Sequence, residues 1–235
     1  MKDVFIRTQS LLGDKAMETL SRARVAVFGL GGVGSYALEG LLRSGVGKFV
    51  LIDGDVVSES NCNRQLVADL STVGMNKTDV AKSRVWAVNP DAEIVQVPAF
   101  YGENNADIID FSTLDYVIDA VDDVAAKTII VTRAKQAGVA VISCMGTGNK
   151  LNPARLQIAD ISKTHTCPLA KTVRKIWKEK GIEHVKVVFS DELPLAPQTP
   201  LSDGKKSVGS VVFVPSVAGM MMAAEVVKDL VGEIK

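Results

Sequence analysis

Residues 25–35 read VAVFGLGGVGS, an apolar run that ends at Phe28 and turns into four glycines within six residues. Gly29, Gly31 and Gly34 satisfy G-x-G-x-x-G between a strand pattern and a helix pattern. In that context glycine lets the backbone turn sharply and approach phosphate oxygens. A helix beginning near Gly32 would aim free N–H groups and its positive dipole end at such an anion. Asp53 closes the next strand pattern, 19 residues after Gly34, where a carboxylate accepts hydrogen bonds from a ribose. The alternative, a glycine-rich turn with no ligand, does not account for this full strand–loop–helix–acid context. A nucleotide site is therefore expected.

Outward from this loop, short apolar runs alternate with helical patterns. Strands are expected at 24–29, 48–53, 93–97, 115–120 and 139–144, with helices near 33–44, 76–88, 103–110 and 124–137. Continuous rather than alternating apolar strands indicate a parallel sheet covered on both faces. The fold class is α/β, a doubly wound, mostly parallel Rossmann-like sheet. Beyond residue 150 the rhythm changes. RLQIADI (155–161), VKVVFS (185–190) and SVVFVPS (210–216) read as additional C-terminal strands, with a closing apolar helix over about 216–231. Residues 191–210, rich in Pro, Gly and Ser, read as a loop. One domain over 1–235 is expected, with a nucleotide-binding core at 1–150 and a C-terminal substrate and dimer region at 151–235.

The 235 residues carry 27 Lys+Arg against 27 Asp+Glu, so no global field advertises a nucleic-acid or membrane partner. Three cysteines, Cys62, Cys144 and Cys167, form no C-x-x-C pair, which fits a reducing compartment and argues against a disulfide framework or a four-thiolate zinc site. The start lacks a signal peptide's apolar run, and the apolar stretch at 217–227 is short of the roughly 20 residues a bilayer needs. A cytoplasmic location without membrane contact is expected.

Which nucleotide is held depends on what surrounds the loop. SNCNRQ (60–65) places Asn61, Arg64 and Gln65 past the second strand, and STVGMNK (71–77) brings Lys77 to a helix start. Two cations beside the phosphate loop suit a triphosphate better than the pyrophosphate bridge of a nicotinamide cofactor. IDAVDD sets Asp119, Asp122 and Asp123 at the carboxyl edge of the sheet, where a carboxylate can hold Mg2+ between phosphate oxygens. The bland alternatives are that Arg64 and Lys77 are solvated charges and that Asp122 caps the following helix.

As a set, GLGGVGS, LIDGD, NRQ, VGMNK, NP (89–90) and DAVDD resemble the ThiF/MoeB/HesA superfamily, relatives of ubiquitin-activating enzymes, over nearly the whole chain. The resemblance implies adenylation of a carboxylate with ATP and Mg2+. Carried over, Gly29, Gly31 and Gly32 line the phosphate loop and Asp53 takes the ribose. Asn61, Arg64 and Lys77 contact phosphates, and Asp122 coordinates magnesium. RTQSLLG resembles the segment whose arginine reaches ATP from the partner subunit, which makes Arg7 the candidate in a homodimer. The missing C-x-x-C pairs depart from relatives that activate sulfur carriers. RTQSLLG, MGTGNKLNP (145–153), KTHTCPLAKTVRK (163–175), VVFSDELP (187–194) and GSVVFVPSVAGMMMA (209–223) resemble instead the tRNA threonylcarbamoyladenosine dehydratase branch. That branch implies a tRNA substrate modified at adenosine 37, cyclised with loss of AMP and formally of water, and leaves room for a sulfur-relay partner protein.

The helix after Pro168 sets Leu169, Val173, Ile176 and Trp177 on one side and Lys171, Arg174, Lys175 and Lys178 on the other, a basic face able to follow RNA phosphates or simply to be solvated. Cys167 precedes this helix and is the best thiol candidate, although ring closure within one substrate molecule needs no thioester. His165 and His184 show no partner in sequence. Three rival readings stand: a sulfur-carrier or ubiquitin-like modifier-activating enzyme using Cys167, an NAD-dependent oxidoreductase indifferent to Arg64 and Lys77, and a nucleotide-sensing scaffold without turnover.

Overall fold

A computed structural model describes residues 3–199 and 208–232. After two helices, α1 (Ile6–Leu12) and α2 (Asp14–Arg22), the chain alternates β1 (Arg24–Phe28), α3 (Gly34–Ser44), β2 (Lys48–Ile52), α4 (Lys77–Val88), β3 (Glu93–Val97), β4 (Tyr116–Asp119), α5 (Val124–Gln136) and β5 (Ala140–Cys144). It then runs through β6 (Leu156–Asp160), α6 (Pro168–Glu179), β7 (Lys186–Ser190) and α7 (Phe213–Val231). The strands form one sheet in the order β3-β2-β1-β4-β5-β7-β6. All neighbours pair in parallel except β6, which runs antiparallel along β7 at the edge. This is the doubly wound, mostly parallel Rossmann-like architecture expected from the sequence, with its C-terminal strands and helix.

Both faces of the sheet are covered, which explains the unbroken apolar strands. Val25 and Val27 of β1 enter one cluster with Leu41 of α3 and Met222 of α7, while Ala26 and Phe28 enter the other with Ile130 of α5 and Trp177 of α6. Period-2 alternation therefore sends successive side chains into two different cores rather than into core and solvent.

Three local expectations are corrected. SVVFVPS is not a strand: residues 208–211 are irregular and helix α7 starts at Phe213, with Pro215 in the first turn, where a missing N–H costs nothing. The 103–110 segment is a 3-10 element, Glu103–Ile108, broken at Asn105, whose side chain bonds the backbone at Phe100 and Gly102. The two N-terminal helices have no counterpart in the sequence-derived pattern.

Helix α7 lies backbone to backbone on α3. A Cβ on Gly219 would sit 2.3 Å from the Val33 carbonyl oxygen, and one on Gly40 would sit 2.6 Å from Ala223 Cβ. The helix that follows the glycine loop is thus clasped by the C-terminal helix.

Beneath the loop after β4, Asp119 and Lys127 are fully buried, with Lys127 Nζ 3.0 Å from Asp119 Oδ2. The Ser143 hydroxyl donates to the same oxygen at 2.5 Å, and Val121 N donates to Oδ1 at 3.3 Å. Removing one partner strands a buried charge, a cost of about 3–5 kcal/mol. Lys127→Met should lower unfolding stability by that amount in urea titration, and an unchanged midpoint would contradict the pairing.

On the other face Glu39 of α3 is buried between Arg84 of α4, which engages both its oxygens at 2.7 and 3.0 Å, and Arg43 at 2.5 Å. Burial opposes the carboxylate's charge, but the hydrogen bonds of Arg84 and Arg43 outweigh it and hold the carboxyl below its ordinary value of 4.5. This contribution is complete above the unfolded value and is lost as pH falls through the lower folded value. Glu39→Gln should flatten the acid limb of a stability–pH profile below about pH 4.5.

Candidate functional site

A cavity of about 920 Å3 opens over the carboxyl ends of β1, β2, β4 and β5, lined by Gly29, Asp53, Ala120 and Cys144 among others. The chain's direction across the sheet reverses between β2 and β4, on either side of β1, and that switch point is where open α/β sheets bind ligands.

The glycine loop is built by two close approaches. Gly29 has φ +85°, and a Cβ there would lie 2.9 Å from the Ala120 carbonyl oxygen. A Cβ on Gly34 would lie 1.8 Å from the Gly29 carbonyl oxygen. The resulting turn leaves the N–H groups of Gly31, Gly32 and Val33 without hydrogen bonds among the described residues, and all three residues line the cavity. Three successive free donors ahead of a helix form a receptor for an anion.

Asp53 braces this loop. Its Oδ2 accepts from Leu30 N at 2.6 Å and its Oδ1 from Asp55 N at 2.8 Å. Each oxygen keeps a second lone pair for a hydroxyl donor. Lys77, the first residue of α4, is buried with Nζ 2.7 Å from Asp55 and 4.0 Å from Asp53. Arg64 lines the same cavity, tethered through one guanidinium nitrogen to the Ser60 carbonyl and the Asn63 side chain, both at 2.8 Å. Asn61 uses its Oδ1 on Ser58 N at 3.3 Å.

Of the acids after β4, the structure separates three roles. Asp119 is the buried partner of Lys127. Asp123 caps α5 by accepting from Ala126 N at 2.7 Å. Asp122 is exposed, lines the cavity and makes no hydrogen bond or ion pair among the described residues. The cap expected as an alternative role for Asp122 thus belongs to its neighbour, and Asp122 is the carboxylate left for a cation. Arg7, exposed on α1, does not line the cavity of its own chain.

The structure adds lining residues that the motifs did not single out. Asp55 holds Lys77. Phe100, 72% exposed, lines the cavity, its ring so close to Gly54 that a Cβ there would lie 2.7 Å from it. Gln65, named in the sequence without a role, lines the cavity with a buried Oε1 that has no hydrogen-bond partner among the described residues. Lys150, 3% exposed, also lines it. LIDGD carried the signal for Asp55 and MGTGNKLNP that for Lys150, though neither showed what the residue would face; nothing local marked Phe100. The glycine cradle, the paired cations, the orphaned amide oxygen and the free carboxylate together fit a polyphosphate with its divalent ion.

Residues 6–235 match the ThiF family. The chain belongs to that family. Its relatives include tRNA threonylcarbamoyladenosine dehydratase of Bacillus subtilis (strain 168), 44% identical over 246 aligned residues spanning 98% of this chain and 96% of the relative. The enzyme of the same name from Escherichia coli (strain K12) is 35% identical over 84% of this chain and 75% of its own length. Crystal structures of the E. coli dehydratase, TcdA, in complex with AMP and with ATP superpose with TM-scores of 0.89 and 0.88 at 31% identity, covering 96% of this chain and 93% of each.

Two thiols of this ThiF-family chain face the same cavity but are sealed. Cys144 is buried at the end of β5, and burial pushes its thiol up to about 12. Cys167, immediately before α6, is 2% exposed. Cys62 is half-buried beside Asn61. Iodoacetamide at neutral pH should label Cys62 in the folded protein and leave Cys144 and Cys167 unmodified, as read by peptide mass spectrometry.

Proposed function

We propose that this ThiF-family protein is an ATP-dependent tRNA threonylcarbamoyladenosine dehydratase, an adenylating enzyme that closes the threonylcarbamoyl side chain of adenosine 37 into a ring. The observation that carries the adenylating chemistry is the convergence of three free loop N–H groups, Arg64, Lys77 and unpaired Asp122 on one cavity. The choice of substrate rests on the near full-length similarity to dehydratases.

In this reading an oxygen of the threonyl carboxylate attacks the α-phosphorus of ATP, and the bond to the β-phosphate bridging oxygen breaks, releasing pyrophosphate. A nucleophile of the same side chain then attacks the acyl carbon. AMP leaves with the former carboxylate oxygen and the nucleophile's proton goes to solvent, a net loss of water from the nucleoside. The protein's work is positioning and electrostatics. Gly31, Gly32 and Val33 N–H groups hold phosphate oxygens, and Arg64 and Lys77 neutralise the charge that builds on the departing pyrophosphate. Asp53, already bracing the loop, offers its remaining lone pairs to the ribose. Asp122 would hold Mg2+, which when bound supplies positive charge at the phosphate oxygens.

The exposed Lys171, Lys175 and Lys178 on α6 give tRNA phosphates a basic face, whereas Arg174 is tied to Thr164. A homodimer would bring Arg7 of one copy to the other's cavity, with residues 151–235 supplying substrate and dimer surfaces around the nucleotide-binding core of 1–150.

Incubation with threonylcarbamoyl-modified tRNA and MgATP should convert the nucleoside to a species lighter by one water, read by mass analysis. Lys77→Ala and Arg64→Ala should each cut the rate by about 100-fold or more, and Cys167→Ala should retain most of it. Near-normal turnover in the first two variants would refute the site.

A further inference from the structure

The cavity has a second half that the phosphate chemistry does not use. Its wall is formed by the segment after β5, residues 145–150, and by Cys167, Pro168 and Leu169 at the start of α6. Apart from the sealed thiols its side chains are apolar, small or neutral polar, with one titratable exception, Lys150. That side chain is 3% exposed, and its Nζ donates one hydrogen bond, to the Ser190 carbonyl oxygen at 3.1 Å. An ammonium group has three donors, so two find no acceptor among the described residues. Lys150 also makes no ion pair there. The nearby carboxylate of Glu192 is committed elsewhere, one oxygen to Leu151 N at 3.0 Å and the other to Asn152 N at 2.9 Å. Burial accordingly pushes the lysine's pKa down, only partly opposed by the surrounding Cys167, Glu192, Cys144 and Asp191. Asp191 is likewise engaged by Arg155 and Gln157, and a buried cation whose neighbouring carboxylates are taken by other donors is costly unless a further anion completes it.

We propose that Lys150 is the receptor for the acceptor substrate's carboxylate, holding it in the apolar half of the cavity beside the nucleotide. This rests on the adenylation reading above and deepens it. The group to be activated is a small carboxylate that must lie in line with the α-phosphate, and Arg64 and Lys77 are engaged with the phosphates. Lys150 supplies the separate positive charge, from the segment that follows β5 and lines the same cavity as the glycine loop. Met145, Gly146 and Leu169, which line the same half of the cavity, shield the acyl-adenylate from water.

The test uses the full-length protein, modified tRNA and a second tRNA whose threonylcarbamoyl carboxylate is converted to the carboxamide. With wild type, the acid should bind at least about 30-fold tighter than the amide in the presence of a non-hydrolysable ATP analogue. Lys150→Met should erase that preference and reduce kcat/KM for the acid by about 100-fold or more, with affinity for the ATP analogue within threefold of wild type. Lys150→Arg should restore part of the preference. A Lys150→Met protein that still prefers the acid, or that loses the nucleotide instead, overturns the assignment. Should Lys150→Met not fold, Lys150→Gln is read by the same criteria. A wild-type crystal with the modified nucleoside and ATP analogue decides independently, by whether the carboxylate lies within hydrogen-bond distance of Nζ. Failure of wild type itself to cyclise the nucleoside would refute the proposed function, an outcome distinct from cyclisation that ignores residue 150.

Discussion

The Gly29 carbonyl oxygen occupies the space that any side chain on residue 34 would need, 1.8 Å from where its Cβ would lie. Everything at the site follows from that steric fact. Because the chain can fold back on itself there, α3 begins directly over the end of β1 and three backbone donors are left pointing into a cavity instead of into a ladder. The carboxylate of Asp53 then ties the turn to the exit of β2, and the same residue lies within 4.0 Å of Lys77 at the head of α4. One turn, one acid and one lysine link the first two strand–helix units, β1–α3 and β2–α4, into a single charged frame.

That frame was legible in the sequence because its components are local. A glycine pattern, a strand-terminal acid and a lysine at a helix start all announce themselves within a few residues of the structure they create. The strands were legible for a related reason: buried on both faces, they read as unbroken Val, Ile, Leu and Phe. Where the reading failed, tertiary context had overruled local preference. SVVFVPS has the composition of a strand, yet Val214 is wholly buried in the core that α3 and α7 share, and packing there favours helix. The amphipathic α2 places only Ala16, Met17 and Leu20 inward, too few apolar positions to stand out before the first strand.

Side-chain partnerships were less legible than positions. Nothing in IDAVDD distinguishes an acid that neutralises Lys127 from one that caps α5 or one that stays free, because the distinction depends on which way each successive residue faces. The partners of Asp55 and Lys150, residues inside LIDGD and MGTGNKLNP, were illegible for the same reason. The significance of each residue lies in what sits across from it, and those neighbours are 22 and 40 residues away in the chain.

The clasp between α3 and α7 carries a consequence for how the molecule can be cut or moved. With Gly219 seated against the Val33 carbonyl and Pro215 against Gly32, the last helix is masonry of the glycine loop and not an appendage to it. A chain ending before Phe213 would lose a wall of the cavity along with a helix, and any force applied to that helix from a neighbouring molecule would be felt directly at the glycine loop whose free backbone amides line that cavity.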